Sequence, residues 1–390
     1  MFSHRTNWPL APNAFTRALA EVSASGQEVF DLTVSNPTEA GVRPDPQVVL
    51  SALANPEAMC YDPQPRGLLE ARNAVCEYYR ESHGVLDLDP ERLVLTTSTS
   101  EAYSYVFRLL CNPGDEILVP KPSYPLFEFL ADLSDVKLVP YPLIYDHGWQ
   151  IDFDSLYKAA TSRTRAVIVV HPNNPTGSYA AGTEISALNT FCNDYRSALI
   201  VDEVFLDYAH HGPPRPSFVS NAGALTFTLS GLSKISALPQ MKLAWVVTSG
   251  PEDLVGQAGA RFEIIADTFL SMNAPIQLAA PVLLGQRKQV QPVLLDRIRV
   301  NLGGLDRQLA ATPSCTRLNV EGGWYVVLRV PAVQSDESLA IDLMREAAVV
   351  VHPGHFYDFP NDGYLVLSLI TAPAVFREGV TRLLQVIGKM

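Results

Sequence analysis

Six short β-rich runs punctuate the middle of the chain: Leu93-Val94-Leu95, Glu116-Ile117-Leu118-Val119, Ala166-Val167-Ile168-Val169-Val170, Ala198-Leu199-Ile200-Val201, Thr226-Phe227-Thr228-Leu229 and Leu243-Ala244-Trp245-Val246-Val247. Several are apolar without alternation. A strand with one wet face alternates apolar and polar residues, so these runs read as strands covered on both faces, in a mostly parallel sheet. Helical patterns, such as residues 100–110 and 186–195, lie between them. That order predicts an α/β layered domain.

At 390 residues the chain is too long for one ordinary core, so two domains are expected. The C-terminal third changes character. A helical pattern covers residues 258–307, with Pro275, Pro281 and Pro292 as breakers. Strands follow at Trp324-Tyr325-Val326-Val327-Leu328 and Tyr364-Leu365-Val366-Leu367-Ser368-Leu369, with helices at 338–347 and 376–387. This predicts a smaller α+β domain. The strand-like Asp31-Leu32-Thr33-Val34, ending at Asn36-Pro37, is expected to pack against it. The division is therefore an N-terminal segment over 1–44, a large domain over 45–275 and a small C-terminal domain over 276–390.

Several classes of function are disfavoured. Lys and Arg number 29 against 41 Asp and Glu, a net charge of −12, and no basic run of five or more residues occurs. Nucleic acid is not an expected partner, because phosphate neutralisation needs clustered cations. The five cysteines are isolated and odd in number, which fits core thiols of a reducing cytoplasm rather than a disulfide framework or a metal site. Residues 1–12 carry no apolar segment of a secretory signal, and no run is long enough to span a bilayer. No Gly-x-Gly-x-x-Gly follows an early strand, which disfavours a dinucleotide-binding dehydrogenase.

Three elements then fall in one order, each after a predicted strand: Asn173-Asn174-Pro175-Thr176-Gly177, Asp202-Glu203 and Ser230-Gly231-Leu232-Ser233-Lys234. An amide, an acid and a lysine among small residues are what pyridoxal 5'-phosphate requires of a protein. Lys234 is the candidate for the Schiff base, and Asp202 the acid that pairs with the pyridine nitrogen. Asn174 precedes a proline, which holds it extended so that its amide can reach the ring oxygen. Taken alone it would read as an Asn-Pro turn. Thr96-Thr97-Ser98-Thr99-Ser100 precedes a helix, and Thr99 and Ser100 are best placed to bind phosphate at its N-terminus. The plainer reading is a serine cap with Glu101 in the first turn. Ser230, Ser233 and Lys242 are further phosphate candidates. Tyr124, in Pro122-Ser123-Tyr124-Pro125, is the candidate to stack on the ring. Trp8, Phe15, Tyr103, Tyr124 and Phe356 are candidates for an apolar substrate pocket, though aromatic residues are more often core.

Together these pieces resemble the class I/II aminotransferases, the fold-type-I pyridoxal-phosphate enzymes of the aspartate aminotransferase superfamily. The similarity runs from about Asp31 to Leu384. It also includes Tyr61 with Arg66-Gly67, Cys111-Asn112-Pro113-Gly114-Asp115, Glu321-Gly322-Gly323-Trp324 and Pro353-Gly354. The resemblance implies an α/β large domain whose mainly parallel seven-stranded sheet is sandwiched by helices, with a smaller α+β domain built from both chain ends. It implies a homodimer with active sites at the interface, and Tyr61 reaching the phosphate of the neighbouring subunit. Four positions depart from the family pattern. Lys242 stands for a phosphate-pairing arginine, and Phe205 for a tyrosine that donates to the ring oxygen. Ser98 replaces a glycine of the cradle. Val366 stands where an arginine clamps the substrate carboxylate, with Arg17, Arg43, Arg215, Arg261 and Arg329 as possible substitutes.

The expected activity is transfer of an amino group between an amino acid and a 2-oxo acid, with Lys234 also moving the substrate α-proton. β-Elimination, decarboxylation and racemisation use the same electron sink, and fold does not choose among them. A cofactor-sensing regulator is disfavoured, because only about 30 residues precede the first family-like strand.

Overall fold

The structure is a computed structural model that describes residues 1–125, 127–270 and 272–390. Its strands in chain order are β1 (Phe30–Asp31), β2 (Leu93–Thr96), β3 (Glu116–Lys121), β4 (Lys137–Tyr145), β5 (Trp149–Ile151), β6 (Thr164–Val170) and β7 (Ala198–Asp202). They continue with β8 (Thr226–Gly231), β9 (Ala244–Ser249), β10 (Thr316–Arg317), β11 (Tyr325–Arg329), β12 (Val349–Val350), β13 (His352–Pro353) and β14 (Tyr364–Ser368). All six runs singled out in the sequence become strands of one sheet, ordered β2-β9-β8-β7-β6-β3-β4-β5.

Residues of β2, β7, β8 and β9 are buried throughout, which is why their sequences do not alternate. The pairs β3/β4, β3/β6, β6/β7 and β7/β8 are parallel, while β9 runs antiparallel to both β8 and β2. Seven strands thus form the expected mainly parallel sheet. An eighth, β5, adds an antiparallel hairpin on β4 across Asp146-His147-Gly148. Neither β4 nor β5 stands out in the sequence. β4 is mostly half-buried or exposed and carries Pro140 and Pro142 in the stretch that pairs with β3 alone, where outward N–H positions need no partner.

Helices cover both faces. The helix Thr99–Leu110 buries Ala102, Tyr103, Val106 and Phe107 on one side, and Gly182–Tyr195 buries Leu188, Phe191 and Cys192 on the other. The expected breakers Pro281 and Pro292 break nothing: they sit inside the helices Ala274–Gly285 and Arg287–Leu309. Each proline costs a helix about 3 kcal/mol. Burial of Leu283, Leu284 and Leu294 offsets that, at about 1.5–3 kcal/mol per leucine. Pro275 lies in the first turn of its helix, where its missing N–H is harmless. The predicted helical pattern over 258–307 crosses Ser271, which lies outside the described residues.

The last third builds an antiparallel sheet, β10-β11-β14-β13, with its own apolar core. The N-terminal segment joins it. Phe30 and Asp31 pair in parallel with Val349 and Val350, and the carbonyl of Leu32 accepts from the Ser368 amide at 2.7 Å. The Ser368 hydroxyl donates to the Val34 carbonyl at 2.5 Å. The strand expected over 31–34 is shorter than predicted, because beyond Asp31 the segment bonds Ser368 rather than a continuous ladder.

Candidate active site

In an open parallel sheet a crevice opens at the carboxyl ends of the strands where strand order reverses. Here β6 leads one way to β7 and β8, while its other neighbour β3 leads to β4. The predicted residues fall around that point. Thr99 and Ser100 follow β2, Tyr124 follows β3, Asn174 follows β6, Asp202 closes β7, and Ser233 and Lys234 follow β8. These seven line one cavity of about 250 Å3. Ser98, Phe127, Val170, Val204, Phe205, Gly231 and Ala244 complete that rim, and Ser35 and Tyr325 reach it from the N-terminal segment and β11.

Lys234 sits on the single turn Leu232–Ile235 after β8. Its backbone carbonyl accepts from the Tyr208 hydroxyl at 2.6 Å, which fixes the turn from below. Its ammonium lies 4.9 Å from the ring centroid of Trp324 and 5.6 Å from that of Phe205. Burial lowers its pKa to about 8, and the Asp202 charge only partly resists the shift. Asp202 is displaced the other way. Burial raises it to about 6, against hydrogen bonds from the Val204 amide (3.1 Å) and the Tyr103 hydroxyl (3.2 Å) and the attraction of Lys234. A lysine and a carboxylate whose environments push their pKa values toward each other can exchange charge near neutral pH, a pattern that clusters at functional sites. Glu203, next along the chain, faces away and is held by Ser217 and the Phe218 amide at 2.6 Å each.

The helix Thr99–Leu110 is capped by Ser98, which accepts from the Glu101 amide at 3.2 Å. Glu101 reaches back to the Thr97 amide at 2.6 Å. The serine-cap reading is therefore correct locally. The first-turn residues Thr99 and Ser100 line the cavity, and the N–H groups of a first helical turn, which have no partner within the helix, favour an anion. Asn174 is buried and its side-chain oxygen has no partner. A buried amide oxygen without a partner is costly in a closed core but can accept from a ligand. Gly231 lies so close to β9 that an added Cβ would meet the Ala244 Cβ at 2.8 Å.

Three residues predicted to reach the phosphate, Tyr61, Lys242 and Ser230, do not line the cavity. Tyr61 is 80% exposed on the surface, and Lys242, in a left-handed turn after Pro239–Met241, is also exposed. Ser230 is buried beneath the rim, near the Glu203 carbonyl. Of the five aromatic residues considered for a substrate pocket, only Tyr124 lines it. Tyr103 stands behind Asp202, Phe15 packs edge-on against Phe356 in the C-terminal core, and Trp8 packs on Phe129. Tyr325, Ser35, Val204 and Phe127 were not singled out in the sequence. No motif flags Phe127 or Val204; Tyr325 follows the Gly322-Gly323-Trp324 turn, which was the available signal.

A family model described as aminotransferase class I and II matches residues 27–383. Glutamate-pyruvate aminotransferase of Haemophilus influenzae is 25% identical over 368 residues, covering 92% of this chain and 90% of that protein. Alanine aminotransferase of Mycobacterium bovis is 27% identical over 364 residues, covering 91% and 84%. Among solved structures, alanine aminotransferase from Pyrococcus furiosus superposes with a TM-score of 0.89 at 24% identity over the whole of both chains, which speaks to the fold.

Proposed function

The chain belongs to the class I and II aminotransferases, which use pyridoxal 5'-phosphate, and from that membership we propose that it moves an amino group between an amine donor and a carbonyl acceptor with Lys234 as its central residue. Amino acids and 2-oxo acids are the pair on which aminotransferases act. The observation that carries this reading is the convergence of Lys234, Asp202, Asn174, Tyr124, Thr99, Ser100 and Ser233 on one cavity.

The residues fit the cofactor. Bound there, it would supply an electron sink for the carbon that loses its proton. Lys234 would anchor it covalently through its amine and then, once released, carry the proton between the two reacting carbons. Asp202, raised and buried, would share its charge with the ring nitrogen, with the Tyr103 hydroxyl holding the carboxylate in place. Asn174 would donate to the ring oxygen alone, since Phe205 has no hydroxyl. Tyr124 would cover one ring face, while Thr99, Ser100 and Ser233 would bind the phosphate. Lys242 is proposed as a distant point charge near that phosphate, weak because it is exposed.

The lowered pKa of Lys234 makes capture of pyridoxal phosphate by the cofactor-free protein pH-dependent. Only the neutral amine attacks. Below about pH 8 the fraction neutral rises tenfold per pH unit, and above it the rate levels off. An ordinary lysine would keep accelerating to about pH 10.5. Stopped-flow absorbance from pH 6 to 10 measures this, and a rate still climbing steeply past pH 9 would remove the depressed pKa.

We propose a homodimer as well. Met59, Tyr61 and Ile264 are among the most exposed large apolar residues, at 90%, 80% and 69%. Arg66 joins their two segments by an ion pair with Glu263, placing them on one face. A second copy would cover that patch and bring Tyr61 toward a neighbouring cavity. Light scattering is expected to give twice the chain mass, and Ile264→Glu to shift it toward the monomer and weaken cofactor binding. A fully active monomer would sink this part.

The division into 1–44, 45–275 and 276–390, and a cytoplasmic setting, belong to the same proposal. The N-terminal segment's bonds to Ser368 support the first. Among the described residues no helix is long and apolar enough to cross a membrane. The test of the whole reading is transfer itself: nitrogen-15 from a labelled donor should appear in the amine formed from the acceptor, with parallel-line kinetics. Release of the label as ammonia would favour an eliminating enzyme instead.

A further inference from the structure

We infer that the substrate this cavity selects carries no carboxylate on its reacting carbon: it is a primary amine without an acid group there, with an aldehyde or ketone as its carbonyl form. This rests on the amino-transfer reading of the same site. Sixteen described residues of this chain line the cavity, and among them Lys234 is the one cation and Asp202 the one acid. Both are committed to the cofactor. The remainder are hydroxyls, one amide and apolar or aromatic groups. A carboxylate entering there would leave water with no charged partner, and an unpaired buried charge is among the costliest arrangements in a protein.

The strand pairing shows why. Tyr325 of β11 lies opposite Ser368 of β14, and Val327 lies opposite Val366. Residues directly opposite, and those two apart on one strand, share a face. Val366 therefore stands on the face from which Tyr325 reaches the cavity, and it fills its place as a 1% exposed aliphatic side chain packed in the core. Nor does any of the five candidate arginines line the cavity. Arg215 pairs with Glu321 at 3.1 Å and lies over Tyr179, and Arg329 is exposed on the far end of β11. Arg17, Arg43 and Arg261 are exposed and donate to carbonyls of their own segments. What faces the substrate instead is Tyr124, Phe127, Val204, Phe205 and Tyr325, with the Ser35 hydroxyl as a neutral polar contact.

The donor half-reaction then reads R–CH2–NH2 + P–CHO → R–CHO + P–CH2–NH2, where P–CHO is the bound pyridoxal phosphate. The carbon–nitrogen bond of the donor breaks and its carbon is oxidised by two electrons. The nitrogen and those electrons would pass to the cofactor with the proton carried by Lys234; the aldehyde oxygen is lost as water when the cofactor attaches to Lys234, and a second water supplies the oxygen of the product carbonyl.

The experiment compares matched pairs on the holoenzyme: phenylalanine with phenethylamine, and leucine with isopentylamine. Single-turnover conversion of the cofactor absorbance to its amine form is followed for each. The amines are expected to convert it faster, with a second-order rate constant at least tenfold above that of the parent amino acid. Amino acids equal or faster, or no conversion by either amine, would overturn the inference. Loss of the band with release of ammonia or carbon dioxide would instead overturn the amino-transfer reading. A binding measurement needs no turnover: hydrocinnamyl alcohol should perturb the cofactor spectrum at lower concentration than hydrocinnamate, and the reverse order counts against us. Val366→Arg, if folded, should narrow or invert both preferences; the wild-type comparison decides the matter if it does not fold.

Discussion

Lys234→Ala is expected to abolish the covalent attachment of pyridoxal phosphate and to lower amino transfer by about 10²–10⁴-fold or more, the range that loss of a positioned proton carrier commands. Two separate physical facts make the effect large. Among the described residues Lys234 is the one amine that lines the cavity, so it is the group there that can form the adduct. That amine is also the group whose pKa, brought to about 8 by burial, suits it to accept and return a proton near neutral pH. Lys234→Arg should fail equally, although it keeps the positive charge, because a guanidinium is neither a nucleophile nor a base at this pH. Lys242→Ala supplies the contrast. Exposed and off the cavity, it should weaken cofactor binding by no more than about fivefold, the reach of a surface charge worth up to about 1 kcal/mol. Absorbance spectra, borohydride trapping and single-turnover rates on the three variants check this. Retained trapping in Lys234→Ala would show that the wrong lysine had been chosen.

The cofactor half of the site was legible in the sequence because its residues sit where chain chemistry and topology coincide. Asp202, Asn174 and Lys234 each follow a strand whose buried, non-alternating sequence announces it, so their common position at the carboxyl edge follows from the sheet alone. The substrate half was less legible. Ser35 and Tyr325 reach the cavity from segments that lie 290 residues apart in number and are brought together by the packing of the N-terminal segment on the C-terminal strands. Periodicity carries no record of such a contact. Tyr103 shows the same limit in another form. It sits on the apolar face of its helix and reads as core, which it is; only the fold turns its hydroxyl to Asp202. The proline breakers failed for a related reason, since tertiary burial outweighed a local penalty. Val366 worked the other way: the resemblance already marked it as a departure, and among the described residues no arginine lines the cavity in its stead.

Asp202→Asn should move activity and stability in opposite directions. The amide keeps the size of the carboxylate: its oxygen can still accept from the Val204 amide, and its nitrogen can donate to the Tyr103 hydroxyl oxygen, but it cannot hold a proton on the cofactor ring, so transfer is expected to fall by about 10²–10⁴-fold. In the cofactor-free protein the same change removes a burden. The folded-state pKa of Asp202 is about 6, above the ordinary 3.8, so between those values the folded state holds a proton that the unfolded chain has lost. Stability therefore declines as pH rises through that window, by roughly 3 kcal/mol at 1.36 kcal/mol per pH unit, and stays lower above pH 6. Asparagine does not titrate and escapes the decline. Lys234 would lose its counter-charge, but its pKa then drops further and the amine simply goes neutral. Urea melts of the cofactor-free pair should coincide near pH 4 and separate above pH 6, with the variant the more stable by about 1–3 kcal/mol. A variant less stable at pH 7 would mean that the Asp202 charge is well solvated, and that the protein spends nothing to keep an acid ready beneath the ring.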